Sequence, residues 1–142
     1  MPISKSSAEW KGNLKEGTGT MRAGDGACEV AYTAGTRFEG ANGSNPEELI
    51  GAAHAGCFSM AFAARVEKAG HDPRRVSTTA DVHLEKTASG FEIRKIELTT
   101  EAEIPGIDEE TFQKLANEAK EGCPVSRALA GPSIGLTAKR IQ

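Results

Sequence analysis

A run of small and apolar residues in the middle of the chain, NPEELIGAAHAGCFSMAFAARVEKAG, limits the possible folds more than any other feature. Asn45 is a good helix N-cap, Pro46 suits the first helical position, and Glu48 stands three residues past the cap, where its carboxylate reaches back. Gly70, just before HDP, supplies the stop. The helix between is apolar on nearly every side. It is rich in Gly51, Ala52, Ala53, Ala55, Gly56, Ala61, Ala63 and Ala64, so other backbone must come close from several directions. Such a helix belongs at the centre of a fold, and one small sheet does not cover it. A partner subunit is therefore expected. The most apolar stretch, Leu49 to Ala64, is shorter than a bilayer span and contains His54 and Ser59, which reads as a buried core helix.

The flanking segments supply the sheets. Up to Thr33, weak alternation of Trp10, Leu14, Met21, Val30 and Tyr32 among glycines predicts short strands joined by turns. Ala34 to Ser44, which contains Arg37, has three glycines and no period, and reads as a loop. After the helix, Val76, Thr78, Ala80, Val82 and Leu84 share one strand face. A turn follows at Ala88 to Gly90, and the alternation of Phe91 and Ile93 slips before Ile96 and Leu98, which places a bulge or twist near Arg94 to Ile96. Asp108 caps a second helix with Phe112, Leu115, Ala116 and Ala119 as its buried stripe; Gly122 ends it, a short helical turn starts at Pro124, and PSIGLTAKR forms a last strand. The fold class is α+β.

With 142 residues the chain is the size of one domain, and roughly 68–70% of its unfolded surface is buried on folding. It is 38% hydrophobic and 26% charged, and a net charge of -3 offers no footprint for nucleic acid or an anionic membrane. MPISKSSAEW has no apolar signal region, and three cysteines fit a reducing, cytoplasmic setting better than a disulfide scaffold.

Two of those cysteines carry the chemistry. Cys57 lies within the apolar helix and reads as sheltered, whereas Cys123 opens CPVSRAL after a helix stop and reads as presented. A thiol redox enzyme uses both kinds, one to attack and one to close a disulfide. A free cysteine is only a few per cent thiolate at neutral pH, and burial opposes ionisation, so Cys57 requires a nearby cation. Arg37 is a suitable source, held bidentately by Glu47 in the first turn of the helix. Each also has a plain structural reading: Cys57 as a small core residue, Glu47 as a first-turn charge, Arg37 as a solvated loop residue. Cys123, N-cap-like before Pro124, has the stronger local case for a thiolate and on that ground alone would be the attacking sulfur. Cys28 has no such setting.

The segments RFEG, NPEELIGAAHAGCFSMA, TTADVHLEK, PGID and GCPVSRAL closely resemble the OsmC branch of the OsmC/Ohr family, osmotically inducible organic hydroperoxide reductases. The resemblance runs from about Trp10 to the last strand. It implies a single OsmC-like domain over residues 1–142, with strands packed around two central helices, in an intertwined homodimer whose active sites lie at the subunit interface. It makes Cys57 the peroxidatic cysteine and Cys123 the resolving one, and matches Arg37 and Glu47 to the arginine and the glutamate that positions it. It implies no metal, flavin or haem, and a lipoyl-type dithiol as reductant. Gly56 stands where relatives commonly carry alanine, and Cys28 lies outside the pattern. Phe38, Leu49, Phe58 and Met60 then offer apolar surface for an organic peroxide.

Three rival readings are weaker. A cysteine hydrolase would use His54, three residues before Cys57, but a pair on one buried helix leaves no evident oxyanion hole, and a core histidine is the plainer reading. A metal module built from Cys57, Cys123 and His54 lacks CxxC or HxxxH spacing. A non-enzymatic stress-response or ligand-binding protein on the same fold leaves the intact cysteine pair unused.

Overall fold

A computed structural model describes residues 2–131 and 133–141. The elements run β1 (Ser6–Lys11), β2 (Thr18–Ala23), β3 (Cys28–Tyr32), α1 (Ala34–Phe38), α2 (Pro46–Lys68), β4 (Arg75–Thr87), β5 (Gly90–Glu103), α3 (Glu109–Gly122), α4 (Pro124–Ala128) and β6 (Ser133–Ile141). The chain divides into two compact units, Met1–Leu49 and Ile50–Gln142, with the division inside the first turns of α2.

In the first unit β1, β2 and β3 form an antiparallel meander. Gly19 sits where Trp10 and Tyr32 meet across it, their ring centroids 5.4 Å apart; a Cβ at Gly19 would collide with both rings, so only glycine lets the pair close over β2. Residues 34–38, expected as loop, form a helical turn. Thr33 and Thr36 bond reciprocally, Thr36 N–H to Thr33 Oγ1 at 3.1 Å and Thr33 N–H to Thr36 Oγ1 at 2.9 Å, and this capping box overrides the glycine content.

The second unit is a sheet of order β4-β5-β6, antiparallel between β4 and β5 and parallel between β5 and β6. His83 pairs with Lys95 and Leu84 with Ile93, so Arg94 is the extra residue of a bulge, as the slipped alternation predicts. The alternating burial of β4 puts Val76, Ala80 and Val82 on the core side. The core lies between this sheet and α2 and α3: Phe58, Phe62 and Val66 from α2, Ile96, Leu98 and Ala102 from β5, and Phe112, Ala116 and Ala119 from α3. Phe62 is fully buried between Phe58 and Phe112, at centroid distances of 5.8 and 5.3 Å. Truncating such a ring to alanine costs about 3–5 kcal/mol.

Both caps read from the sequence are formed. Glu48 N–H bonds Asn45 Oδ1 at 2.8 Å and Thr111 N–H bonds Asp108 Oδ2 at 3.1 Å, while Gly70 takes φ 92° just past α2. The Glu48 carboxylate accepts from the Ser44 hydroxyl instead of reaching back to the cap.

Two expectations about α2 change. The sheet reaches the helix closely at Gly51, against Val82 and Ala80, but Ala52, Ala53, Gly56, Met60 and Ala64 are exposed, so in the single chain α2 is buried on one face only. The full helix has 23 residues and an 18-residue window of mean hydropathy 1.3, which is long and apolar enough to cross a membrane, unlike the shorter run from Leu49 to Ala64. Its buried face nevertheless packs into the second unit's core through Phe58, Phe62 and Val66.

Candidate active site

The first unit contributes an ion pair. α1 presents Arg37 from its last turn, and Asn45, besides capping α2, donates from Nδ2 to Thr36 O at 3.1 Å, tying α1 to the start of the next helix. Arg37 thereby meets Glu47 edge to edge, Nε to Oε1 at 2.9 Å and Nη2 to Oε2 at 3.2 Å. This is the bidentate geometry expected of the pair. The Glu47 side chain is 8% exposed and that of Arg37 is 39% exposed, so the carboxylate is sheltered while the guanidinium faces outward, its Nη1 outside the pair. Beside Arg37 the same unit has a cavity of about 410 Å³ lined by Trp10, Leu14, Tyr32 and Phe38.

The second unit contributes the sulfurs. Cys123 ends α3, its N–H bonding Ala119 O at 3.0 Å, and also caps α4, its Sγ accepting from Ser126 N–H at 3.4 Å. This junction swings the side chain onto α2, where Cys123 Sγ and Cys57 Sγ are hydrogen-bonded at 2.8 Å. A disulfide needs about 2.05 Å, so once one sulfur is oxidised a small approach lets the other close the bond. Their exposures are the reverse of the sequence reading: Cys123 is fully buried and Cys57 is partly open. The reason is tertiary. His54 and Phe58 take the buried face of α2 and leave Cys57 at its margin, while the α3–α4 junction folds Cys123 inward.

Burial, then the hydrogen bond with Cys123, push the Cys57 thiol above its ordinary pKa, with the Val125 N–H pulling weakly the other way. Burial also acts to raise Cys123, but the hydrogen bonds with Cys57 and with the backbone and side chain of Ser126 outweigh it and bring that thiol down. Among the described residues, no cation of the second unit acts on Cys57. Ionising Cys57 requires a positive charge from elsewhere.

The buried His54 bonds Ser126 through Nε2 at 2.7 Å, and Ser126 carried no signal in the sequence beyond its place three residues after Cys123. Phe58, expected at an apolar substrate surface, is fully buried in the core, whereas Phe38 and Met60 are 37% and 77% exposed. Cys28 lies exposed on β3, away from the second unit's sulfurs in sequence. Among the described residues no three His, Cys, Asp or Glu side chains gather as a metal site.

Residues 39–137 match the OsmC-like protein family. The chain is 50% identical over 126 residues to Peroxiredoxin OsmC of Escherichia coli K12, covering 88% of each sequence. Its fold is similar to that of an organic hydroperoxide resistance protein from Elizabethkingia anophelis, with TM-score 0.73, 25% identity and 99% of each chain covered. An OsmC-like protein from Mycoplasma pneumoniae superposes at TM-score 0.76 with 16% identity, again over 99% of each chain, which is a likeness of fold.

Proposed function

The chain belongs to the OsmC-like protein family, and from that premise we propose that it is a cytoplasmic thiol peroxidase that reduces organic hydroperoxides through Cys57 and Cys123. The observation that carries this reading is the 2.8 Å separation of two free sulfurs held on different helices. Cys57 thiolate attacks the distal oxygen of ROOH, the O–O bond breaks, and RO⁻ takes a proton to leave as the alcohol. Cys57 is then a sulfenic acid. The Cys123 sulfur displaces its hydroxyl, the S–S bond forms, and water departs, so two thiols and one hydroperoxide become a disulfide, an alcohol and water. An external dithiol, of the lipoyl type, returns both thiols.

Arg37 supplies the charge that the Cys57 environment lacks, and Glu47 holds its guanidinium in one orientation. The cavity beside Arg37, walled by Trp10, Leu14, Tyr32 and Phe38, suits the organic group R and favours organic over hydrogen peroxide. A homodimer covers the apolar outer face of α2, where Met60 is 77% exposed and a side chain at Gly56 would meet nothing within 4 Å. A monomer by light scattering at micromolar concentration counts against that assembly.

Intact-mass analysis after one equivalent of cumene hydroperoxide tests the chemistry. Loss of two hydrogens, with Cys57 and Cys123 linked in the peptide map, is the expected result. An unchanged mass, or full turnover by Cys57→Ser, overturns the assignment.

A further inference from the structure

Behind the two sulfurs lies a second pair of residues. His54 is fully buried and Ser126 is 5% exposed, and they bond at 2.7 Å across 72 residues of sequence. Each stands three residues from a cysteine: His54 before Cys57 on α2, Ser126 after Cys123 on α4. The four residues therefore close a ring, with one contact between imidazole and hydroxyl, one between the sulfurs, and one turn of helix on each side.

The tautomer follows from what surrounds the imidazole. His54 Nδ1 has no hydrogen-bond partner among the described residues. A buried N–H without an acceptor is rarer than a lone pair without a donor, so the proton belongs on Nε2. Burial also lowers the His54 pKa, which keeps the ring neutral. Nε2–H then donates to Ser126 Oγ, and the hydroxyl proton is left to turn toward the Cys123 sulfur, which already accepts the Ser126 N–H at 3.4 Å. The Ser126 side chain is among the groups that lower the Cys123 thiol. Among the described residues, Arg65 on α2 lies against Gly122, next to Cys123, and is paired with Glu118 on α3 at 3.5 Å.

Resting on the peroxidase reading, we propose that His54 and Ser126 form a buried relay that aims the Cys123 sulfur at Cys57 and steadies it as the resolving thiolate. Ser126 touches the reacting sulfur; His54 is a positioning residue that acts through it. In the step they serve, the Cys123 thiolate sulfur bonds to Cys57, the S–O bond of the sulfenic acid breaks, and the departing hydroxide takes up the proton that Cys123 released on ionising and leaves as water.

The test is an ultraviolet thiolate titration of a Cys28→Ser, Cys57→Ala protein, in which Cys123 is the single thiol. Ser126→Ala and His54→Leu each lower the thiolate fraction at neutral pH about tenfold, the loss of one charge-assisted hydrogen bond. His54→Gln, which keeps an N–H near the Nε2 position, stays near its parent. Should His54→Leu fail to fold by circular dichroism, Ser126→Ala decides, since it removes one hydroxyl. An unmoved titration in Ser126→Ala, or His54→Gln displaced as far as His54→Leu, overturns the relay. This measurement consumes no peroxide, so it answers even if hydroperoxide leaves Cys57 unoxidised, an outcome that would sink the peroxidase reading alone.

Discussion

The Arg37–Glu47 pair and the Cys57–Cys123 pair are built on opposite plans. The ion pair joins residues ten apart in sequence, rests on two local caps, and leaves the guanidinium 39% exposed. The sulfur pair joins residues 66 apart, rests on the packing of α2 against the α3–α4 junction, and hides one sulfur completely. A charge can stand near solvent because hydration helps keep it, while a thiol that must meet only its partner is better kept from water and other oxidants. On the proposed function the contrast separates two tasks: the first unit holds positive charge, the second exchanges electrons.

The strongest way to break this division is Cys57→Ser, which should reduce peroxide consumption to background in a ferrous-xylenol assay, because no other residue in the scheme accepts the oxygen. Cys123→Ser should permit one turnover and then stop, with a sulfenic acid captured by a dimedone-type probe; continued cycling would remove the sulfur pair from the mechanism. Glu47→Gln weakens the grip on Arg37 and should lower kcat/KM about tenfold to hundredfold, the worth of a charged hydrogen bond. The test is sharpened by mass analysis showing that added oxidant still closes the disulfide.

A pH profile probes the sulfur side. Cys123 acts on Cys57 in the direction that raises its pKa, so Cys123→Ala removes that influence and the rate of sulfenic acid formation should reach half its maximum at lower pH than in the parent. A profile displaced to higher pH by stopped-flow measurement would contradict it. The smallest effect belongs to Thr33→Ala, which deletes one side of the α1 capping box and should cost about 1 kcal/mol, seen as faster amide exchange at Thr36 and Arg37.

Features set by near neighbours were legible in the sequence. The Asn45 and Asp108 caps, the Gly70 stop and the bulge at Arg94 each depend on a few residues of local pattern, and each is formed. The two cysteines and the Arg37–Glu47 pair were legible as candidates from their local settings, and the resemblance to a known family assigned their roles. Burial was not. Which cysteine is hidden depends on where α4 lands on α2, a contact across more than 60 positions that no local period encodes. His54 read as a core histidine, but its partner Ser126 lies 72 residues away and is just another serine in sequence. The α1 turn was missed because Thr33 and Thr36 carry its signal while Gly35 and Gly40 suggest a loop.

Cys123 belongs to two helices at once, as the last cap of one and the first of the next, with an extended backbone at φ -62° and ψ 129° between them. The joint is therefore already bent where the moving atom sits. In the proposed cycle the Cys123 sulfur needs to move only at this joint, while Phe112, Leu115 and Ala119 stay in the core. On the proposed function, oxidation and repair then load one joint of the scaffold and spare its foundations.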